Sequence, residues 1–183
     1  MNTRTRQDFD PGPLKPATIS PAGGRWTLVY RQQFNHSPQA VWAALTDPDQ
    51  LSAWAPYTAD RDLGSTGPAT LIMIDGPDRK RLPATVIVAD RPAVLEFDWG
   101  GQLLRWELQP TTDGTELVLQ HTVDERDSLS SMAAGWHLCL LVADAALRGE
   151  PFGPITGEAA KEYGWDDLER GYAAEFGRHD TAG

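Results

Sequence analysis

Four histidines and one cysteine are the side chains best suited to acid–base or nucleophilic chemistry at neutral pH. Each can be weighed by its phase on the element that carries it. His121 is in phase with Leu117, Leu119 and Val123, so on a strand it points to their apolar side. An inward imidazole could exchange a hydrogen bond with a ligand carbonyl or hydroxyl, or act as acid or base. The plainer alternative is a histidine at the end of a sheet, bonded to backbone or water. That reading is preferred, because no carboxylate can be placed beside His121 from the sequence. His137 follows Trp136, about 100° around a helix from it, which turns it toward strand ends or solvent. His36 lies in the turn before a helix, and His179 in a polar tail. No two histidines have metal-ligand spacing on one element, so neither a metal nor a cofactor is expected.

Cys139 sits near the edge of a helix's inner face, with Gly135, Trp136, Val142 and Ala143 at spacings of three and four. In such company a thiol behaves as a small apolar side chain rather than a nucleophile. Gly23-Gly24 and Gly100-Gly101 are linker or hairpin glycines, not a phosphate loop. No Gly-x-Ser-x-Gly elbow occurs. The acidic pairs Asp60/Asp62 and Asp166/Asp167 read as solvated surface. No residue is therefore assigned a catalytic role.

The elements that would position these residues follow from periodicity. Trp26, Leu28, Tyr30 and Phe34 mark a strand over 26–34. Two short helices come next. One starts at Ser37-Pro38 with Val41, Trp42 and Leu45 on its apolar side, and the other at Asp47-Pro48, followed by Leu51 and Trp54. Strands then run near 57–63, 69–74, 82–89, 94–99, 103–108 and 116–123, separated by turn residues. Gly100-Gly101 and Asp113-Gly114 are hairpin signals, so the sheet is an antiparallel meander. The outer faces of its strands carry Glu96, Asp98, Arg105, Glu107 and Glu116, and the inner faces are apolar. A long helix spans 128–148, with Met132, Trp136, Leu140, Ala143 and Leu147 on one face and Gly149 at its end. A last amphipathic helix covers about 165–176 through Trp165, Leu168, Tyr172 and Phe176.

Residues 1–24 lack apolar periodicity and read as a flexible or loosely docked arm. Residues 25–177 read as one domain, and 178–183 as a disordered tail. The formal net charge of −10 disfavours nucleic acid and anionic membranes as partners. No run approaches the ~18 consecutive apolar residues of a membrane span, and no apolar leader follows the first arginines. With a single cysteine there is no internal disulfide, and a cytoplasmic setting is expected.

The segment Ser37-Pro38-Gln39-Ala40-Val41-Trp42-Ala43-Ala44-Leu45-Thr46-Asp47-Pro48 resembles the opening motif of a branch of the SRPBCC (START-like) superfamily. That branch is named after the activator of the heat-shock protein 90 ATPase. Gly135-Trp136-His137 followed by Leu140 is similar to its C-terminal helix motif. The resemblance covers about 25–177. It implies an α+β helix-grip fold: a curved antiparallel sheet wrapped around the long helix, with the two short helices after the first strand. Both motifs are structural, so they imply a fold more firmly than a function.

In that superfamily the space between sheet and helix often holds an apolar ligand. The resemblance thus implies Trp54, Tyr57, Phe97, Trp99, Trp106, Met132, Trp136 and Leu140 as walls of a binding site, with His121 as its inward polar group. Plain core packing would use the same residues, since seven tryptophans can fill a core as readily as line a cavity. Three functions compete. The first is binding of a small hydrophobic or aromatic molecule. The second is a cyclase- or dehydratase-like enzyme with His121 as acid–base group and Tyr57 as hydroxyl donor. The third is a co-chaperone or interaction protein, although the eukaryotic activators also depend on a separate N-terminal domain. On the outer side of the long helix, Leu138, Leu141, Val142 and Ala145 require a cover. The C-terminal helix and a second subunit in a homodimer are the candidates.

Overall fold

The computed structural model describes residues 9–74, 77–150 and 152–180. Eight antiparallel strands form one sheet in the order β1-β2-β8-β7-β6-β5-β4-β3. They are β1 (Ala17–Ala22), β2 (Arg25–Phe34), β3 (Tyr57–Ala59), β4 (Gly67–Met73), β5 (Arg81–Asp90), β6 (Val94–Trp99), β7 (Gln102–Thr111) and β8 (Gly114–Val123). The helices are α1 (Pro38–Thr46), α2 (Pro48–Leu51), α3 (Leu129–Leu147) and α4 (Trp165–Asp180). The sheet curls around α3, giving the α+β helix-grip arrangement.

Local chemistry sets the elements. Ser37 caps α1 by accepting from Ala40 N at 3.2 Å, and Asp47 caps α2 by accepting from Asp49 N at 2.9 Å. Pro38 and Pro48 fill first-turn positions where no amide donor is needed. α3 ends in a Schellman motif. Gly149 takes φ +75°, its N–H donates to Ala146 O at 3.0 Å, and Glu150 N–H donates to Ala145 O at 2.9 Å. The strand parity expected from the sequence holds. On the outer face Arg105 pairs with Glu96 at 2.9 Å and Glu107 at 2.7 Å, while Leu95, Phe97, Leu104, Trp106, Leu117 and Leu119 are buried on the inner face.

The sheet begins earlier than the sequence reading placed it. Residues Ala17–Ala22, assigned to the arm, pair with β2 from Ala17↔Tyr30 to Ala22↔Arg25. The two short helices therefore follow the second strand. β1 escaped notice because it is an edge strand carrying Pro21, with only Ala17 buried and Ile19 partly so. The arm is tied down elsewhere too. Phe9 joins Phe152 and Tyr163 in an aromatic cluster at 5.2 and 5.4 Å. At the other end, 178–180 continue α4 rather than starting a tail. Residues 1–8 and 181–183, and part of the turn expected at 75–78, lie outside the described residues.

Most of the apolar outer face of α3 is covered from within the chain, and Leu141 stays half-buried in a cleft beside Phe9 and Phe152. Leu138, Val142 and Ala145 are buried, as are Leu168, Tyr172 and Phe176 of α4. Ser130 donates to Glu169 at 2.9 Å between the two helices. By length and composition the stretch Arg126–Leu147 would suffice to cross a membrane, but here it is the core helix and mostly buried.

His137 departs from expectation. It is fully buried, with Nε2 2.6 Å from Pro11 O and Nδ1 2.7 Å from Tyr172 Oη. A carbonyl can only accept, so Nε2 carries the proton and Tyr172 donates to Nδ1. Tyr172 Oη in turn accepts from Lys15 N at 3.0 Å. The arm, α3 and α4 meet at this knot. The sequence misplaced His137 because the third layer made by α4 and the arm has no counterpart in the periodicity of α3.

Candidate functional site

A cavity of about 630 Å³ opens at one end of the sheet. It has three walls. The first is the tip of the β6–β7 hairpin with the end of β8, contributing Trp99, Gln102 and His121. The second is the N-terminal half of α3, with Met132, Trp136 and Cys139. The third is the segment after α3: Ile155, the 3-10 helix Gly157–Tyr163 through Ala160 and Lys161, and Trp165. Met73 and Leu82 extend the lining from β4 and β5.

The residues that the resemblance implied for the site split in two. Trp99, His121, Met132 and Trp136 line the cavity. Trp54, Tyr57, Phe97, Trp106 and Leu140 are buried and do not line it. Trp106 packs edge-on to Trp54 at 6.2 Å and to Trp136 at 5.3 Å. Trp54 Nε1 donates to Ala44 O at 2.9 Å. Tyr57 lies against Phe97 and Trp99 at 6.1 and 5.3 Å, and burial pushes its hydroxyl pKa well up. The cavity therefore takes in only part of the inward-facing residues of the sheet and α3.

The mouth is built by the hairpin. Gly100 and Gly101 hold φ +59° and +85°, a conformation that glycine adopts without strain, and they set Trp99 opposite Gln102. Gln102 shares the inner face with Leu104 and Trp106 by alternation. Its neighbour Leu104 pairs with His121 on β8. The result is a polar chain: Trp136 Nε1 lies 3.0 Å from His121 Nδ1, and His121 Nε2 lies 2.7 Å from Gln102 Oε1. Trp99 stacks over the imidazole at 6.4 Å and 18°. Burial holds the His121 pKa down to about 4, so the ring is neutral at pH 7.

This arrangement answers the histidine question left by the sequence. His121 does point inward, and both ring nitrogens are bonded to side chains rather than to backbone or water. It has no free nitrogen for acid–base work in this geometry. Burial pushes the Cys139 thiol up to about 12, so it stays protonated at neutral pH. Among the described residues no cluster of His, Cys, Asp or Glu could hold a metal ion. Glu158 and Lys161 sit at the rim and pair with each other at 3.1 Å.

Sequence reasoning missed Gln102, Ile155, Lys161 and Trp165. Gln102 was findable, since it continues the parity of Leu104 and Trp106. The third wall was not, because its role depends on the path taken after Gly149.

The family model described as "Activator of Hsp90 ATPase homolog 1-like protein" matches residues 35–145. Among curated proteins none matches this chain. Solved structures do. A protein from Rhodobacter sphaeroides is similar at 25% identity and TM-score 0.60, over 73% of this chain and 99% of that one. CalU16 from Micromonospora echinospora is similar at 19% identity and TM-score 0.65, over 87% and 95%. A conserved protein of unknown function from Enterococcus faecalis is similar at 16% identity and TM-score 0.67, over 87% and 89%. The first two walls of the cavity fall within the matched family segment, and the third falls beyond it.

Proposed function

The chain belongs to the family of activator of Hsp90 ATPase homolog 1-like proteins, and on that premise we propose that it binds a small hydrophobic or aromatic molecule without transforming it. The observation that carries this reading is the cavity itself. Its volume of about 630 Å³ falls in the usual range for ligand sites, ~300–1,000 Å³. Trp99, Met132, Trp136, Ile155 and Trp165 give it apolar walls, and each Å² of ligand surface removed from water contributes about 25 cal/mol before the costs of association. The enzyme alternative gains no support from the site, since His121 is engaged on both sides and Cys139 is held as a thiol. A cytoplasmic setting suits that reduced, buried thiol. The motive for a second subunit weakens, because Leu138, Val142 and Ala145 are already buried within one chain.

Native mass spectrometry of the purified protein, together with thermal shifts across a panel of neutral naphthalene derivatives, tests the reading. A retained small molecule or a saturable rise in melting temperature supports it. A silent panel moves the interaction-protein reading to first place.

A further inference from the structure

The Trp136–His121–Gln102 chain has a direction, and the direction says what the cavity offers. An indole nitrogen can only donate. His121 Nδ1, 3.0 Å from Trp136 Nε1, must therefore accept. A neutral imidazole then carries its single proton on Nε2, and the Gln102 atom 2.7 Å away must be the carbonyl oxygen. Gln102 is left with its amide nitrogen, a donor of two N–H groups, and no described residue accepts from it. Gln102 lines the cavity beside Trp99. Of the other polar groups there, His121 is engaged on both nitrogens and Glu158 and Lys161 pair with each other at the rim, while Trp99, Thr156 and Trp165 also bring a donor to the lining; Gln102 is distinguished by an orientation that the Trp136–His121 chain fixes.

We infer that the cavity selects an aromatic molecule bearing a neutral carbonyl oxygen, which accepts a hydrogen bond from the Gln102 amide nitrogen. This rests on the reading that the cavity binds a small apolar molecule, and it specifies the polar group of that molecule. A ligand carboxylate is disfavoured by the chain's net charge of −10 and by the rim ion pair that occupies Lys161. Trp136 sets the imidazole proton, the imidazole sets the amide orientation, and the amide sets the ligand chemistry. Gln102 is the contact residue, and Trp136 and His121 are positioning residues.

The test uses three matched probes by equilibrium dialysis against the full chain: 2-acetylnaphthalene, 2-ethylnaphthalene and 2-naphthoate. The ratio of hydrocarbon to ketone Kd is compared between wild type and Gln102→Met. The expected result is a ratio that falls by roughly 2- to 10-fold in the variant, the net worth of one neutral hydrogen bond. In wild type, the Gln102 side-chain amide protons should move downfield with the ketone and stay put with the hydrocarbon. The His121 nitrogen shifts should report the Nε2–H tautomer. Binding of both neutral probes with an unchanged ratio and unmoved amide protons overturns the inference and leaves the cavity reading standing. Tightest binding of 2-naphthoate, lost in Lys161→Ala, overturns it in favour of the rim cation. If no probe binds at all, the cavity reading fails and takes the inference with it.

Discussion

The indole nitrogen of Trp136 lies 3.0 Å from His121 Nδ1, and this contact joins the core helix to the sheet at the mouth of the cavity. Trp136 does two things at once. Its ring packs edge-on to Trp106 at 5.3 Å, and its N–H fixes the tautomer of a buried histidine.

The two contributions separate by substitution. Trp136→Ala should cost roughly 3–5 kcal/mol, as loss of a large buried ring does. Trp136→Phe keeps most of the packing but leaves His121 Nδ1 buried without a donor, at a cost of about 1–3 kcal/mol. Urea unfolding of both variants measures this. A Trp136→Phe protein as stable as wild type would show that the N–H contributes nothing.

Stability should fall on mild acidification. Above pH ~6.5 His121 is neutral in both the folded and unfolded chain. As pH drops from 6.5 toward the folded value of about 4, the unfolded chain takes up a proton that the folded chain refuses. The loss amounts to about 2 kcal/mol between pH 6.5 and 5 from this residue alone. His137, whose pKa burial also lowers, adds in the same direction. Unfolding midpoints across this range check it, and His121→Gln should show the shallower slope. Equal slopes in variant and wild type would contradict the assignment.

Removing residues 1–24 should destabilise the protein. The deletion takes away β1, the Pro11 carbonyl that accepts from His137, and the Lys15 amide that donates to Tyr172. A loss of roughly 5–10 °C in melting temperature corresponds to a few kcal/mol in a domain of this size. Tyr172→Phe should reproduce part of it. An unchanged melting temperature after the deletion would show that the arm adds nothing.

Much of this was legible in the sequence, and the boundary is physical. Alternation along 94–99, 103–108 and 116–123 placed Phe97, Trp106 and His121 on the inner face correctly, because strand parity is a local property. The caps at Ser37 and Asp47 and the glycine ending α3 were legible for the same reason. Parity could not say which inward residues meet empty space. Trp106 on the sheet and Trp136 on α3 pack against each other across the core, yet only Trp136 lines the cavity. That depends on where the hairpin tip and the 152–165 segment stop, which is a property of tertiary packing. His137 illustrates the same limit, since its partners Pro11 and Tyr172 are 126 and 35 residues away.

Cys139 should be inert in the native state. It lines the cavity but is only 5% exposed, and burial holds it as a thiol at neutral pH. Reaction with a disulfide reagent at pH 8 should be slow until denaturant is added, and then complete. Rapid native reaction would indicate an activated thiolate and revive the enzyme alternative.

The central claim, that a small apolar molecule enters between the hairpin tip, α3 and the 155–165 segment, is tested most directly by NMR titration of the full chain with 2-ethylnaphthalene. The seven tryptophan indole N–H signals and the methionine methyls serve as reporters. Saturable shifts are expected at Trp99, Trp136, Trp165 and Met132, with Trp54, buried away from the cavity, unmoved. Saturable shifts centred on Trp54, or no saturable shift at any of these sites, would contradict the claim.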